Sequence, residues 1–374
     1  MTEAGITGSG ESPYQRHPGA DITTESVLTD AAARALRDAG RGFADVDGLA
    51  VASFTLAPDH AVDLAWRLGL RLRWISEDTN GGGSGINMLG HAVRAVTAGE
   101  CRTVLVLAGD AFPPGRFHEL VTGYNRATTE HLAPLPLDGP NALFALLTQR
   151  QLRRHGLERA DYGAIAVRQR SWAAHNPGAV YRAPLTIEEY LAAPPVAPPL
   201  HRYDCVPVVT GADALLVEAD PGPGGVRVRA MGTSVNPDDQ DGDGLVTGIA
   251  GIAPEVWERA GCGPEDLDLV QVYDDYPAMV LAQLADLGLV PDGDLRRFLH
   301  TRWESLPCNT SGGQLSAGQA GAAGGMHGLV EAVRQLRGQA GQRQVGARLA
   351  AVTGYGMVLY RYGALGNLAV LEAV

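Results

Sequence analysis

Residues 35–51 read ALRDAGRGFADVDGLAV, and residues 256–272 read VWERAGCGPEDLDLVQV. Ala39, Gly40, Gly42, Asp45, Asp47 and Val51 of the first stretch recur in step as Ala260, Gly261, Gly263, Asp266, Asp268 and Val272. The two stretches have one physical reading. A helix ends at a glycine that can take positive φ, a short acidic turn follows, and an apolar run continues as a strand. In the first copy Leu28, Ala32, Ala35, Leu36 and Ala39 share one helical face, and Leu49 to Val51 supply the strand. A second pair stands further along in the same order. GSGINMLGHAVRAV (83–96) matches GGMHGLVEAVRQL (324–336), each a glycine cluster opening a helix. Each leads to an apolar strand, RTVLVLAG (102–109) and RLAAVTG (348–354). Two matches in register imply a duplicated α/β chain whose helices cover its sheets. The halves divide as 1–224 and 225–374. Residues 111–205, rich in proline, arginine and histidine, break the symmetry and read as a loop domain over the site. Within it, 143–155 has a helical pattern and PPVAPPLHRYDC (194–205) reads as an ordered connector.

Composition narrows the function classes. The chain of 374 residues is 45% apolar and 19% charged, with 48 glycines, as in a compact α/β protein with tight turns. A formal charge of −12 argues against nucleic acid as a partner. No apolar run has the length of a membrane span, and the N-terminus lacks the basic-then-apolar pattern of a secretory signal. Cys101, Cys205, Cys262 and Cys308 form no CxxC pair, which suggests a reducing, cytoplasmic setting. The histidines have no metal-ligand spacing, so no metal site is expected.

Four further segments give the duplication a family. TNGGGSG (79–85), VYDDYPAM (272–279), CNTSGGQLSAGQAGAAGG (308–325) and TGYGM (353–357) resemble, in that order, the thiolase segments for the nucleophile, the motif after the first strand of the second half, the histidine and the second cysteine. The stretches AVRQRSWAAHNPGAVYRAPLTIEEYL (166–191) and DCVPVVTGADALLV (204–217) resemble the thiolase-like lipid-transfer group. That group is similar to the thiolase part of sterol carrier protein X and includes steroid side-chain aldolases. The resemblance implies a thiolase fold: two duplicated halves in a layered αβαβα arrangement with an inserted loop domain.

The chemistry must then differ from a thiolase's, because acyl transfer through an enzyme thioester needs a thiolate. The nucleophile position falls on Gly82, followed by Gly83, Ser84 and Gly85. The histidine falls on Gln319, and the second cysteine on Val352 or Thr353. What remains is a glycine-built helix start suited to holding an oxyanion, and Ser84 reads either as a nucleophile or as a helix cap. Retro-aldol cleavage of a β-hydroxyacyl-CoA needs no covalent intermediate. A base takes the hydroxyl proton, the C–C bond breaks, and an enolate thioester is left to be protonated.

Proton-transfer groups are expected past the strand end at Val272. The resemblance points to tyrosine there, with Tyr273 preferred over Tyr276, and Asp274 or Asp275 as alternative bases. His327 and Tyr355 are candidates for the second group, since the segment 308–325 contains no tyrosine. Asn309, Gly312, Gly313 and Gln319 are expected to orient the thioester, alongside Gly82, Gly83 and Ser84. The only small molecule required is acyl-CoA as substrate, with no further cofactor. The resemblance also implies a homodimer pairing through the strand 102–109 and a small OB-fold, zinc-ribbon partner protein. Arg150, Arg153, Arg154, Arg168 and Arg170 are candidates for CoA phosphates. A cysteine-independent acyltransferase and a non-catalytic lipid-binding subunit are the competing readings.

Overall fold

A computed structural model describes residues 4–135, 137, 139–237, 242–359 and 362–374. Its strands are β1 (Ala4–Glu11), β2 (Gly48–Ala52), β3 (Trp74–Glu77), β4 (Thr103–Asp110), β5 (Pro195–Ala197), β6 (Leu200–His201), β7 (Gly211–Ala219), β8 (Val226–Val235), β9 (Leu269–Gln271), β10 (Leu349–Leu359) and β11 (Tyr362–Ala373). All but the β5–β6 ribbon form one sheet in the order β3-β2-β4-β7-β1-β8-β11-β10-β9. The helices are α1 (Thr24–Asp38), α2 (Ala61–Arg67), α3 (Ser84–Thr97), α4 (Arg116–Thr122), α5 (Pro140–His155), α6 (Arg159–Ala173), α7 (Ile187–Ala192), α8 (Ile249–Ala260), α9 (Pro277–Asp286), α10 (Leu295–Thr301), α11 (Gly313–Ala317) and α12 (Gly324–Leu336).

The sequence repeat is a structural repeat down to single hydrogen bonds. α1 and α8 are each followed by a glycine at positive φ, Gly40 at 66° and Gly261 at 64°. In the next turn the Gly42 amide donates to Asp45 Oδ2 and the Gly263 amide to Asp266 Oδ2, each at 2.8 Å. Asp47 Oδ1 accepts from the amides of Arg102 and Thr103, and Asp268 Oδ2 from those of Arg348 and Leu349. These aspartates fasten β2 to β4 and β9 to β10, which run parallel. The recurring aspartates therefore hold equivalent strand starts together.

Within the sheet, the two halves meet where β1 pairs with β8, at Gly5–Arg227 and Ile6–Val226 among the described residues. α1 packs on β1, β4 and β7, while α8 packs on β8 and β11. α3 and α12 lie against each other and touch strands of both halves. This gives the layered αβαβα arrangement. The starts of the two central helices are in backbone contact: a Cβ at Gly85 would lie 2.1 Å from the Gly325 oxygen, and one at Gly325 would lie 2.4 Å from the Gly82 oxygen. Only glycine permits that approach.

Two expectations change. The insert after β4 is mainly helical, with α4 to α7, and α5 is longer than the pattern at 143–155 suggested. The strand expected to pair between subunits is β4, but it lies between β2 and β7 and both of its edges are used. The free edge of the first half is β3. Among the described residues no helix is long and apolar enough to cross a membrane.

Candidate active site

β9 ends at Gln271, and a short crossing that bends at Asp275 and Tyr276 leads to the start of α9 at Pro277. Side chains from other segments fix this crossing. The Val272 amide donates to Asn309 Oδ1 (2.9 Å), and the Tyr273 amide to Thr353 Oγ1 (3.1 Å). The Tyr273 carbonyl accepts from Gln283 Nε2 (2.6 Å). Thr353, one of the two residues on which the resemblance places a thiolase's second cysteine, is thus part of the frame that places Tyr273.

Tyr273 opens onto a cavity of about 470 Å³. The first half contributes Phe54 and Gly82, the insert Phe117, Leu120, Tyr124, Asn141 and Leu143, and the second half Tyr273, Asp275, Tyr276, Gln319, Tyr355 and Met357. The walls are mostly apolar with a few polar groups, the usual make-up of a small-molecule site. No arginine or lysine lines it among the described residues. Buried Asp110 braces the rim: its Oδ1 accepts from the Phe54 and Thr55 amides, and its Oδ2 from the Ala322 amide. Burial raises its pKa to about 6 against these bonds.

At Gly82 the geometry decides the chemistry. A Cβ there would stand 2.4 Å from Tyr273 Cε2, 2.5 Å from its Cζ and 2.1 Å from the Tyr355 oxygen. The phenol ring occupies the space that a side chain on Gly82 would need. Its hydroxyl accepts from Gln319 Nε2 at 2.9 Å. It also lies by the start of α12, 3.3 Å from where a Cβ on Gly324 would be. With its oxygen taken as acceptor by Gln319, the phenol keeps its own proton to donate. Burial holds its pKa well above 10, with Asp275 and Tyr124 adding to the rise and Gln319 opposing it. Tyr273 is therefore a neutral acid at physiological pH.

Adjacent Asp274 and Asp275 point to opposite duties. Asp274 accepts from the Gln314 amide (2.9 Å), the Leu315 amide (3.3 Å) and Gln169 Nε2 (2.9 Å). It anchors the start of α11 and does not line the cavity. Burial places its pKa at about 7. Asp275 lines the cavity, and its buried Oδ1 has no hydrogen-bond partner. Burial, followed by the charge of Asp274, raises its pKa well above the ordinary carboxylate range. A carboxylate with an open oxygen and raised basicity suits a general base.

The other expected residues separate in the same way. Tyr276 and Tyr355 line the cavity. The Tyr276 hydroxyl donates to Asn141 Oδ1 (2.8 Å), and its ring stacks on Phe144 at 4.5 Å between centroids. The Tyr355 hydroxyl accepts from the Gly363 amide. His327 is buried away from the cavity, with Nε2 on Ser311 Oγ (2.7 Å) and Nδ1 on the Tyr14 hydroxyl (3.3 Å); burial lowers its pKa. It supports α12 and reaches no substrate. Ser84 is fully buried and donates to Asp78 Oδ1, so it is neither nucleophile nor side-chain cap. A Cβ on Gly83 would strike Leu365, at 2.0 Å. The Gly83 amide is spent on the Asn80 oxygen and the Ser84 amide on the Gly81 oxygen. Those two amides are therefore not available to an oxyanion, and of the three residues only Gly82 faces the cavity. Asn309, Gly312 and Gly313 serve the backbone: Asn309 holds Val272, and Cβ atoms on the two glycines would collide with Ala173 and Asp274.

Among the cavity residues that the insert contributes, Tyr124 and Asn141 were passed over by sequence reasoning. Tyr124 supplies the second phenol that segment 308–325 lacks, with burial raising its pKa to about 12. Asn141 sits in the first turn of α5. Of the arginines proposed for CoA, Arg150 bonds the Asp243 carbonyl, Arg168 pairs with Glu304, and Arg170 bonds Ser316 between the Tyr181 and Tyr203 rings, while Arg153 and Arg154 are exposed in the last turn of α5. Cys205 is the one cysteine on the cavity among the described residues, and burial pushes its thiol up to about 12. Cys101 is raised to about 11, and Cys262 and Cys308 are raised as well. No thiolate is prepared in this protein among the described residues.

Comparisons with known proteins agree with this geometry. Residues 233–365 match the "Thiolase C-terminal domain-like" family. The chain is 30% identical over 365 residues to 17-hydroxy-3-oxo-4-pregnene-20-carboxyl-CoA lyase of Mycobacterium tuberculosis, covering 90% of this chain and 92% of that one. It is 28% identical over 363 residues to a steroid side-chain-cleaving aldolase of Thermomonospora curvata, covering 90% of each. The solved Ltp2-ChsH2(DUF35) aldolase has a similar fold, with a TM-score of 0.86 at 24% identity, covering 99% of this chain and 98% of that one.

Proposed function

The chain belongs to the thiolase superfamily, among its thiolase-like carbon–carbon lyases, and we propose that it cleaves a β-hydroxyacyl-CoA with a bulky side chain by retro-aldol chemistry. The observation that carries this reading is the Tyr273 ring standing where the nucleophile of a thiolase would project from position 82. The group that reacts is then a proton donor, not a sulfur.

The residues divide the work as follows. Asp275, ionised, takes the proton from the β-hydroxyl. The electrons of that O–H bond form the ketone, and the Cα–Cβ pair moves onto the thioester as an enolate. Tyr273 donates its hydrogen bond to the enolate oxygen and then a proton to Cα, while Gln319 holds the phenol in place. The Asp275 proton returns through solvent or the phenol. Substrates like the one named for the mycobacterial relative would give a 17-ketone and propionyl-CoA. No cofactor beyond acyl-CoA enters these steps. The reading places the enzyme in the cytoplasm.

The test is turnover of a β-hydroxyacyl-CoA bearing a tertiary hydroxyl, with the ketone and the short acyl-CoA both measured. Asp275→Asn is expected to lower kcat by about 10³-fold, within the usual range for a general base. For the wild type, kcat/KM rises with pH, because Asp275 must lose its proton and its pKa is raised. Tyr273, raised above 10, adds no falling limb at neutral pH. A rate independent of Asp275, or acyl exchange between thioesters without ketone, would overturn the reading.

The reading includes a homodimer and a small OB-fold, zinc-ribbon partner. Among the described residues no arginine or lysine lines the cavity, which supports a partner for the CoA phosphates, and the similar aldolase is named with a DUF35 partner. For the dimer, β3 offers its free edge, and Val62, Trp66 and Ile75 are exposed on it and on adjoining α2. Such an edge favours pairing with another strand. The double variant Trp66→Glu/Ile75→Lys is expected to elute as a monomer with light-scattering detection. An unchanged elution mass would rule out this face as the dimer contact.

A further inference from the structure

The frame that holds Asn141 has no role in the steps above. The Tyr276 hydroxyl donates to Asn141 Oδ1, and stacking on Phe144 fixes the Tyr276 ring. This bond sets the amide's orientation, leaving Nδ2, a donor, for the cavity that Asn141 lines. Asn141 also stands at the start of α5, a helix of 16 residues. Its N-cap is Gly139, which has no capping side chain; Pro140 opens the helix, and no acidic residue stands in the first turn. Among the described residues of that turn, none carries a negative charge to offset the positive end of the helix. Gly139, Pro140, Asn141 and Leu143 all line the cavity, so this end faces the substrate space. A second, independent feature marks the same region. Asp275, next to Tyr276 in the chain, is only 9% exposed, and its Oδ1 lacks any partner.

We propose that Asn141 Nδ2, at the start of α5, is the donor that receives the substrate's β-oxygen as it changes from hydroxyl to ketone, with Tyr276 as its positioning residue. This rests on the lyase reading. It assigns the two reacting oxygens to two separate donors: the thioester oxygen to Tyr273 and the β-oxygen to Asn141. The proton on the β-hydroxyl goes to Asp275, and the alkoxide charge that develops meanwhile is met by the amide and the helix end. The same site recognises the product ketone.

A binding experiment separates this inference from the lyase reading. The probes are a 17-ketosteroid and its 17-deoxy counterpart, bound to the full-length protein and followed by calorimetry. Neither probe is turned over. The wild type is expected to prefer the ketone by about tenfold, the size of one net hydrogen bond. Asn141→Ala and Asn141→Asp both remove the donor and are expected to bind the two probes equally. Asn141→Asp keeps an acceptor for Tyr276, so a merely structural role would leave the preference intact. Tyr276→Phe keeps the stack on Phe144, frees the amide, and is expected to lose part of the preference. A wild type without ketone preference, or an Asn141→Asp that retains it, overturns the assignment. Failure of the lyase reading would appear separately, as a wild type that binds ketone but leaves the hydroxylated thioester uncleaved.

Discussion

Tyr273→Phe is expected to lower kcat for C–C cleavage by about 10⁴-fold, more than any other substitution at the site. Two contributions combine in that one oxygen. It supplies the hydrogen bond to the enolate oxygen, a kind of contact worth about 10²–10³, and the proton that quenches the carbanion, worth about 10²–10⁴. They act in one step and do not multiply fully. The packing that a structural role would depend on is unchanged: the ring still fills the space beside Gly82, and only the hydrogen bond from Gln319 is lost. That bond contributes about 1 kcal/mol, so thermal unfolding should shift by only a few degrees. A large loss of rate with near-native melting identifies a chemical role. A large fall in melting temperature with a small change in rate would return Tyr273 to the core.

The second large effect is a substitution that would naively restore a thiolase. Gly82→Cys places a thiol where the motif of a thiolase carries its nucleophile, yet it is expected to yield no acyl-enzyme and no lyase activity. The new Cβ would lie 2.4 Å from the Tyr273 ring and 2.1 Å from the Tyr355 carbonyl, both impossible contacts. Overpacking of this kind typically costs about 1–3 kcal/mol, and a backbone oxygen has less freedom to yield than a side chain. The histidine of a thiolase is replaced by Gln319, which cannot activate the thiol. Truncating Tyr273 as well leaves the Tyr355 carbonyl in the way. Incubation of Gly82→Cys with an acyl-CoA, followed by intact-mass measurement, checks this. An acyl adduct on residue 82 would show that the site still holds a thiolase geometry.

The duplication was legible because it is built from local rules. Gly40 and Gly261 end helices, Asp45 and Asp266 close turns on glycine amides, and Asp47 and Asp268 fasten parallel strands. Each feature acts within a few residues or between strands that are neighbours in the sheet, so its imprint is regular. The loss of the nucleophile at Gly82 was legible for a similar reason, since position within a motif located it.

The division of labour at the strand end was not legible. Asp274 and Asp275 are adjacent and chemically identical, so local sequence does not distinguish the one that turns to the cavity. Which one faces substrate depends on the amides of Gln314 and Leu315, forty residues downstream. Asn309, Gly312 and Gly313 had the look of a ligand loop because glycine pairs and an amide suit either task, and here they shape the backbone. Tyr124 and Asn141 come from the insert, which has no counterpart in the repeat. No periodicity could have brought them to the cavity, and only the packing of α4 and α5 does so.

The central claim is that the chain breaks a C–C bond without an acyl-cysteine. The most direct measurement mixes the wild-type protein, with any partner it requires, with excess tertiary β-hydroxyacyl-CoA. Samples quenched during turnover are read by intact-protein mass and by product analysis. Ketone and short acyl-CoA are expected in equal amounts, with an unmodified protein mass throughout. An acyl adduct on any cysteine, or release of CoA without ketone, would contradict that claim.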